Sequence, residues 1–583
     1  MIRNLYLITL SALTLALISS ASAQNSISNP VLDEYRPIDD QMMQDPPASD
    51  WLMWRSRYDL SGHSTLNLVN RDNVSELEEA WSVPLSQGGS MTTPLVHDGV
   101  MFIADTNNIL LALDARNGQE LWRYQHESNN YDWRRQGIAL FDDKVFVPHN
   151  DLDLVALNIR TGTVEWESTI ATPVASPSPQ GSFYALRGAP MVASGMIIQG
   201  VTAMRLSPGG FIVGLDIETG VEQWRFHTVA APDGPGGNTW NNLPLEGRSG
   251  GSVWNSGSYD AELDLVYFGS APTYDTAPLL EDLGIEGVSN DALFTNATLA
   301  LRPKTGELVW YFQHMPNGQL DLDWVFERQL DELEINGREH KVVFTAGKIA
   351  LYDILDAATG EYLDSLDLGI QNIVTSIDPE TGDKTINPDS VPNKESNHLV
   401  CPFVLGGRNW LSGGYNPDTK MLYLPVLEMC MMAGLMADGN LLSTGIETSP
   451  TPREDSDGQF GRLQAINMES MELAWQHREL TPPSTPVLST GGGLVFSGNI
   501  DKSFKAYDAE TGQILWQTSL SNFPSSFPIT YAVDGKQYVA IVSGQPSRYT
   551  GSLFGIITSL LGADNPAVQP PTGDPTLVVF SLD

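Results

Sequence analysis

Two carboxylates one residue apart are the first candidates for chemistry in this chain. In the run GQLDLDW, Gly318 to Trp324, Asp321 and Asp323 fall on one side of an extended backbone, because side chains alternate along a strand. Such a pair can hold a cation or take a proton. In a chain with 71 acidic residues, a solvated acidic edge is the competing reading. The other reactive residue types are dispersed. His97, His149, His227 and His314 stand near strand or loop ends and read as packing or surface residues, with no zinc set among them. No Cys-x-x-Cys-His, phosphate-cradling glycine loop, serine-nucleophile elbow or His-Glu-x-x-His occurs.

The N-terminus bears on which chemistry is accessible. Arg3 precedes an apolar run from Leu5 to Ile18, and Ala21-Ser22-Ala23 offers a small-residue cleavage site. This predicts a signal peptide over residues 1–23, a mature chain from Gln24, and a periplasmic or secreted location; an uncleaved anchor is the alternative. No later apolar stretch reaches the ~20 residues needed to span a bilayer. In an oxidising compartment Cys401 and Cys430, 29 residues apart, invite one disulfide. The formal charge of −39 disfavours nucleic acid and anionic membrane surfaces. It suits a solvated exterior, or attraction of a basic redox partner.

The elements that must position these residues are short strands. A segment of alternating apolar residues, an Asp or Asn, a Gly turn and then Trp recurs as LALDARNGQELW (Leu111 to Trp122), VALNIRTGTVEW (Val155 to Trp166), VGLDIETGVEQW (Val213 to Trp224) and LALRPKTGELVW (Leu299 to Trp310). A worn copy starts at Leu351, and late copies end at Trp475 and Trp516. Each reads as two antiparallel strands with glycine at a turn position of positive φ. Trp122 to Trp166 is 44 residues and Trp475 to Trp516 is 41, the spacing of propeller blades. Counting Trp81, Trp122, Trp166, Trp224, Trp310, the worn copy near Leu363, Trp475 and Trp516 predicts an all-β, eight-bladed β-propeller over residues 61–583, with residues 24–60 as an N-terminal extension. Residues 227–260, 272–295 and 431–457 read as loop excursions, where function tends to sit.

The repeats and loops together resemble the pyrroloquinoline-quinone (PQQ) dependent alcohol and methanol dehydrogenases, from about Trp51 to Gly544. The anchors are GGSVWNSGSYD (Gly250 to Asp260), Asp321 to Asp323, Lys348, Cys401-Pro402, GGRNW (Gly406 to Trp410), GGGLVFSG (Gly491 to Gly498) and GKQYV (Gly535 to Val539). The resemblance implies a quinone on the propeller axis, stacked on Trp254 and within reach of Ser252; blade packing is the other role open to Trp254. Asp321 matches the catalytic base, and Asp323 the extra carboxylate of lanthanide-using members, so the implied metal ligands are Asp321 and Asp323. Lys348 matches the cation that contacts the quinone carbonyls, Asn409 and Trp410 match the segment beside the cofactor, and a Cys401–Cys430 disulfide agrees with family members. The implied cofactors are PQQ with Ca2+ or a lanthanide. The implied reaction oxidises a small-molecule alcohol and passes electrons to a separate soluble carrier.

The departures concern the metal. The family's metal-binding glutamate position holds Arg205, and its asparagine position, after Tyr267-Phe268-Gly269, holds Ser270 or Ala271. The paired cysteines that many members place beside the quinone are absent from NNYDWRRQGIALF. There Gln136 stands near the place of an arginine, with Arg134 and Arg135 adjacent. Arg205 is therefore expected to touch the cofactor in place of the ion. The alternative is a non-catalytic propeller that serves as a binding or assembly module.

Overall fold

The computed structural model describes residues 30–128, 137–174, 183–274, 277–318, 320–391, 397–435 and 446–583. Among them, eight sheets of four or five strands follow one another along the chain, each antiparallel to its sequential neighbour within the sheet. The inner strands are apolar throughout because sheets cover them on both faces. Val100–Asp105 and Ile109–Asp114 are buried at every position, whereas the outer strand Glu120–Gln125 alternates exposed and half-buried. The ring closes through its two ends: Glu78–Pro84 pairs antiparallel with Thr576–Ser581, Trp81 opposite Val579. A closed ring leaves few free sheet edges.

The recurring tryptophans join each sheet to the next. Trp122 Nε1 donates to Ile159 O at 2.7 Å, Trp166 to Ile217 O at 3.1 Å, Trp224 to Pro303 O at 2.8 Å, and Trp516 across the closure to Leu77 O at 3.0 Å. A register shift beside each of these tryptophans seats the ring against a small residue, Ala112 opposite Trp122 and Gly214 opposite Trp224. The turn glycine of the following sheet lies beneath the ring. Gly360 has φ +75°, and a Cβ there would stand 2.5 Å from Trp310. In the worn repeat Tyr362 takes the tryptophan's place, over Gly382.

Three features differ from the sequence reading. The fold is mostly rather than wholly β, because Arg548–Leu561 is a helix, capped by the Ser547 side chain on Thr550 N and buried through Leu553 and Ile557. Residues 374–386 form a separate hairpin, Val374–Ile377 with Lys384–Ile386. The excursion near 431–457 carries strands: Met429–Leu435 pairs with His398–Val400 and Ile446–Pro452, satisfying backbone groups that a loop would leave to water. The Cys401–Cys430 disulfide ties this sheet to the segment before GGRNW, with Cα atoms 4.3 Å apart.

Candidate active site

A cavity of about 260 Å3 is lined by Met91, Phe183, Arg187, Thr202, Met204, Trp254, Tyr274, Asp321, Asp323, Lys348 and Asn409. Phe183, Thr202 and Met204 lie on two paired strands of one sheet, and the other lining residues on connecting segments from Met91 to Asn409.

Tight backbone approaches bring the wall together. Gly250 (φ +112°) and Gly251 (φ +59°) let the chain before Trp254 pass close to its neighbours; a Cβ on Gly250 would lie 2.4 Å from Pro272 O, and one on Gly251 2.6 Å from Thr228 Oγ1. Trp254 is half-buried, edge-on to Phe326 at 5.2 Å, with Nε1 directed at Asp323 Oδ1 over a long 3.5 Å. Thr202, on the strand Met196–Met204, is 5% exposed, and its Oγ1 has no hydrogen-bond partner. An orphaned hydroxyl in an otherwise closed wall is what a polar ligand would satisfy.

The charged centre is Lys348. Its Nζ donates to Asp321 O at 2.8 Å, lies 3.7 Å from Asp321 Oδ2 and forms a short ion pair with Asp323 Oδ2. Its main-chain N–H donates to Asp323 O at 2.8 Å, and its carbonyl accepts from Gly407 N at 2.8 Å. Gly406, at φ +85°, makes room for the stem: a Cβ there would come within 2.8 Å of Lys348 Cγ. The first glycine of GGRNW thus admits the lysine that meets the aspartates. Burial pushes the Asp321 carboxyl up to about 6; Lys348 opposes this, Asp323 adds to it, and Arg205 opposes it weakly. Burial would lower the Lys348 ammonium, but attraction to Asp321 and Asp323 wins and holds it above its usual value. Burial raises the Tyr274 hydroxyl well above its usual value.

The remaining expected residues fall around this wall. Asn409 lines the cavity with its amide committed, donating to Leu405 O at 2.8 Å and accepting from Trp410 N at 2.7 Å. Ser252 is fully buried behind the wall; its Oγ accepts from Ala203 N at 3.0 Å. Trp410 is buried next to Phe527 and Tyr549 rather than in the wall. Arg205 is exposed at φ +52°, beside the wall residue Met204, and acts on Asp321 through its charge. Arg187, Tyr274 and Thr202 were not singled out from the sequence, where YALRGAP and SAPTY carry no motif. Gln136, Arg134, Arg135 and the leader 1–23 lie outside the described residues.

Asp321 and Asp323 face this cavity, whereas Leu320 and Leu322 line a second, apolar cavity of about 250 Å3 with Met315, Ile373 and Ile386. Elsewhere, histidines that read as dispersed gather with carboxylates. Asp50, His97 and Asp98 form one group, and His126, Asp151 and Asp153 another, each with ligand atoms within 4.8 Å of one another and so able to hold a metal ion. Neither lines the central cavity. The first already ties the N-terminal segment to the ring, His97 Nδ1 standing 2.6 Å from Asp50 Oδ2 and Nε2 3.0 Å from Arg36 O.

An eight-sheet ring with a cavity that holds a tryptophan, a lysine and paired aspartates defines a quinoprotein-type dehydrogenase. The profile of the PQQ-dependent glucose/ethanol/alcohol dehydrogenase β-propeller domain matches residues 51–367 and 378–539, and the chain belongs to this family of quinone-linked oxidoreductases. It is 30% identical over 559 residues to the quinohemoprotein alcohol dehydrogenase ADH-IIG of Pseudomonas putida, covering 90% of this chain and 76% of that one. It is 30% identical over 517 residues to the quinoprotein alcohol dehydrogenase PedH of the same species, covering 83% and 84%. The solved structure of ADHIIG from Pseudomonas putida HK5 superposes with a TM-score of 0.81 at 28% identity, covering 94% of this chain and 82% of that one. A europium-containing methanol dehydrogenase shares the fold, with a TM-score of 0.82 at 24% identity over 93% of this chain and 100% of that one. Among the described residues no helix is long and apolar enough to cross a membrane.

Proposed function

We propose that this protein oxidises an alcohol to an aldehyde or ketone with PQQ in the Trp254 cavity, in the periplasm or outside the cell, and passes the electrons to a separate soluble carrier. The observation that carries the reading is the convergence of Trp254, Asp321 and Lys348 on one cavity. The residues suit a planar, anionic quinone: an indole for its face, the orphaned Thr202 hydroxyl for a polar edge, and Lys348 and Arg187 for its charge. Bound there, PQQ would supply a two-electron acceptor for the hydride of the substrate carbinol carbon.

The chain's own residues do the rest. Asp321 takes the hydroxyl proton as general base; a carboxyl raised to about 6 is ionised at neutral pH and basic enough to accept a proton. Lys348 stabilises negative charge that develops beside it, in a buried setting where one cation counts for more than in water. Asn409, pinned by Leu405 and Trp410, fixes the polar rim. Ser252 positions the wall by accepting from Ala203 N, next to the lining residues Thr202 and Met204. The propeller proper is assigned to residues 61–583, with residues 24–60 as an extension.

The residues present do not fit the family's Ca2+ or lanthanide ion. The departures at the metal positions also favour a second reading, a non-catalytic propeller. Titrating the mature protein with PQQ and following bound-quinone absorbance and alcohol-dependent dye reduction separates the two. One-to-one saturation with turnover supports the enzyme; binding without turnover, or none, supports the module.

A further inference from the structure

The oxygens a metal ion would need are scarce in this wall, and a cation already stands among them. Calcium and lanthanides take about six to eight oxygen ligands. Of the described residues lining the cavity, only Asp321 and Asp323 are carboxylates. Both face Lys348 Nζ, which donates to Asp321 O and forms an ion pair with Asp323 Oδ2, with Asp321 Oδ2 3.7 Å away. Ser270 is committed elsewhere, its Oγ donating to Phe294 O at 2.5 Å and accepting from Ala297 N at 3.0 Å, while Ala271 buries a methyl group. Arg205 adds a further positive charge felt by Asp321, and Arg187 another in the wall. A multivalent cation entering here would have to compete with the lysine for both aspartates in a wall that also carries Arg187.

We propose that this site takes its quinone without a metal ion, the Lys348 ammonium engaging the oxygens of Asp321 and Asp323 that an ion would need. The inference rests on the quinone reading above, with Lys348 keeping the cofactor-contacting place the resemblance gives it. Arg205 and Arg187 then add long-range attraction for an anionic ligand.

The test titrates the full mature protein with PQQ in EDTA, in calcium and in lanthanum, reading quenching of tryptophan fluorescence. The expected result is saturable binding in all three, with dissociation constants agreeing within about twofold. Binding that is more than about tenfold weaker in EDTA, and restored by calcium or lanthanum, would overturn the inference while leaving the quinone reading intact. No saturable binding in any condition would overturn both. Terbium provides a readout without quinone: the wild type and Asp323→Asn should give the same tryptophan-sensitised luminescence, and a signal present in the wild type and lost in D323N would contradict a metal-free site.

Discussion

Lys348 holds Asp321 by its backbone as well as its side chain: Nζ donates to the Asp321 carbonyl at 2.8 Å and stands 3.7 Å from Oδ2. Asp321 itself sits at φ +55°, a left-handed conformation that aspartate tolerates better than most residues. The lysine therefore sets where the carboxylate points and how strongly it binds a proton. Geometry and basicity at this residue are coupled through one ammonium group.

The raised Asp321 carboxyl gives turnover a predicted acid limb. A carboxyl held near 6 loses its ionised form as pH falls through that value, so kcat/KM should halve near pH 6 and drop about tenfold per unit below it. The pH–rate profile of the PQQ-loaded protein checks this. A profile flat down to pH 5 would remove Asp321 as the base.

Trp254 is predicted to carry quinone affinity rather than blade packing. Its Nε1 turns toward Asp323 in the cavity, whereas the repeat tryptophans donate to the next sheet, as Trp224 does to Pro303 O at 2.8 Å. Trp254→Ala should weaken PQQ binding about 10- to 100-fold, the cost of losing a large aromatic contact. Its thermal midpoint should move less than that of Trp224→Ala, measured by parallel melting of the two variants.

The tryptophan–glycine contacts predict a graded pair. Gly360 and Gly284 both have positive φ, but only at Gly360 would a Cβ meet an indole, 2.5 Å from Trp310; at Gly284 nothing lies within 4 Å. Gly284→Ala should cost about 1 kcal/mol for backbone strain alone. Gly360→Ala should cost about 1–3 kcal/mol more through overpacking, read by denaturant unfolding.

Most of the ring was legible because one contact repeats. Trp81, Trp122, Trp166, Trp224, Trp310, Trp475 and Trp516 each occupy an outer strand, and residues 41 to 44 apart in compact repeats announce themselves. The worn repeat was harder, because Tyr362 rather than tryptophan covers Gly382, itself in a hairpin outside the eight sheets. The helix Arg548–Leu561 was not legible. Its run GSLFGIITSLL mixes glycine, serine and β-branched residues, and its helicity follows from burying Leu553 and Ile557. In the site, Trp254, Asp321, Lys348 and Asn409 stood out by family motif. Arg187, Thr202 and Tyr274 reach the wall through long-range folding alone, which leaves no local pattern. Ser252 and Trp410 belong to matching motifs yet support the wall from behind.

The disulfide is predicted to stabilise rather than to act. Closing a loop of 29 residues is worth about 3–4 kcal/mol on the chain-entropy model, so Cys401→Ser with Cys430→Ser should lower the unfolding free energy by that order. PQQ affinity at ambient temperature should change little, because neither cysteine lines the cavity. Unfolding curves and quinone titration of the double variant measure both.

The central claim is that Asp321, in a quinone-loaded cavity, takes the proton of an alcohol. The most direct measurement compares the PQQ-loaded wild type with Asp321→Asn for alcohol-dependent dye reduction, with quinone occupancy fixed by absorbance. The predicted result is turnover in the wild type and a loss of about 10²–10⁴-fold in D321N at equal occupancy, the contribution expected of a general base. Equal turnover in both proteins, or no alcohol-dependent reduction by a fully loaded wild type, would contradict the account.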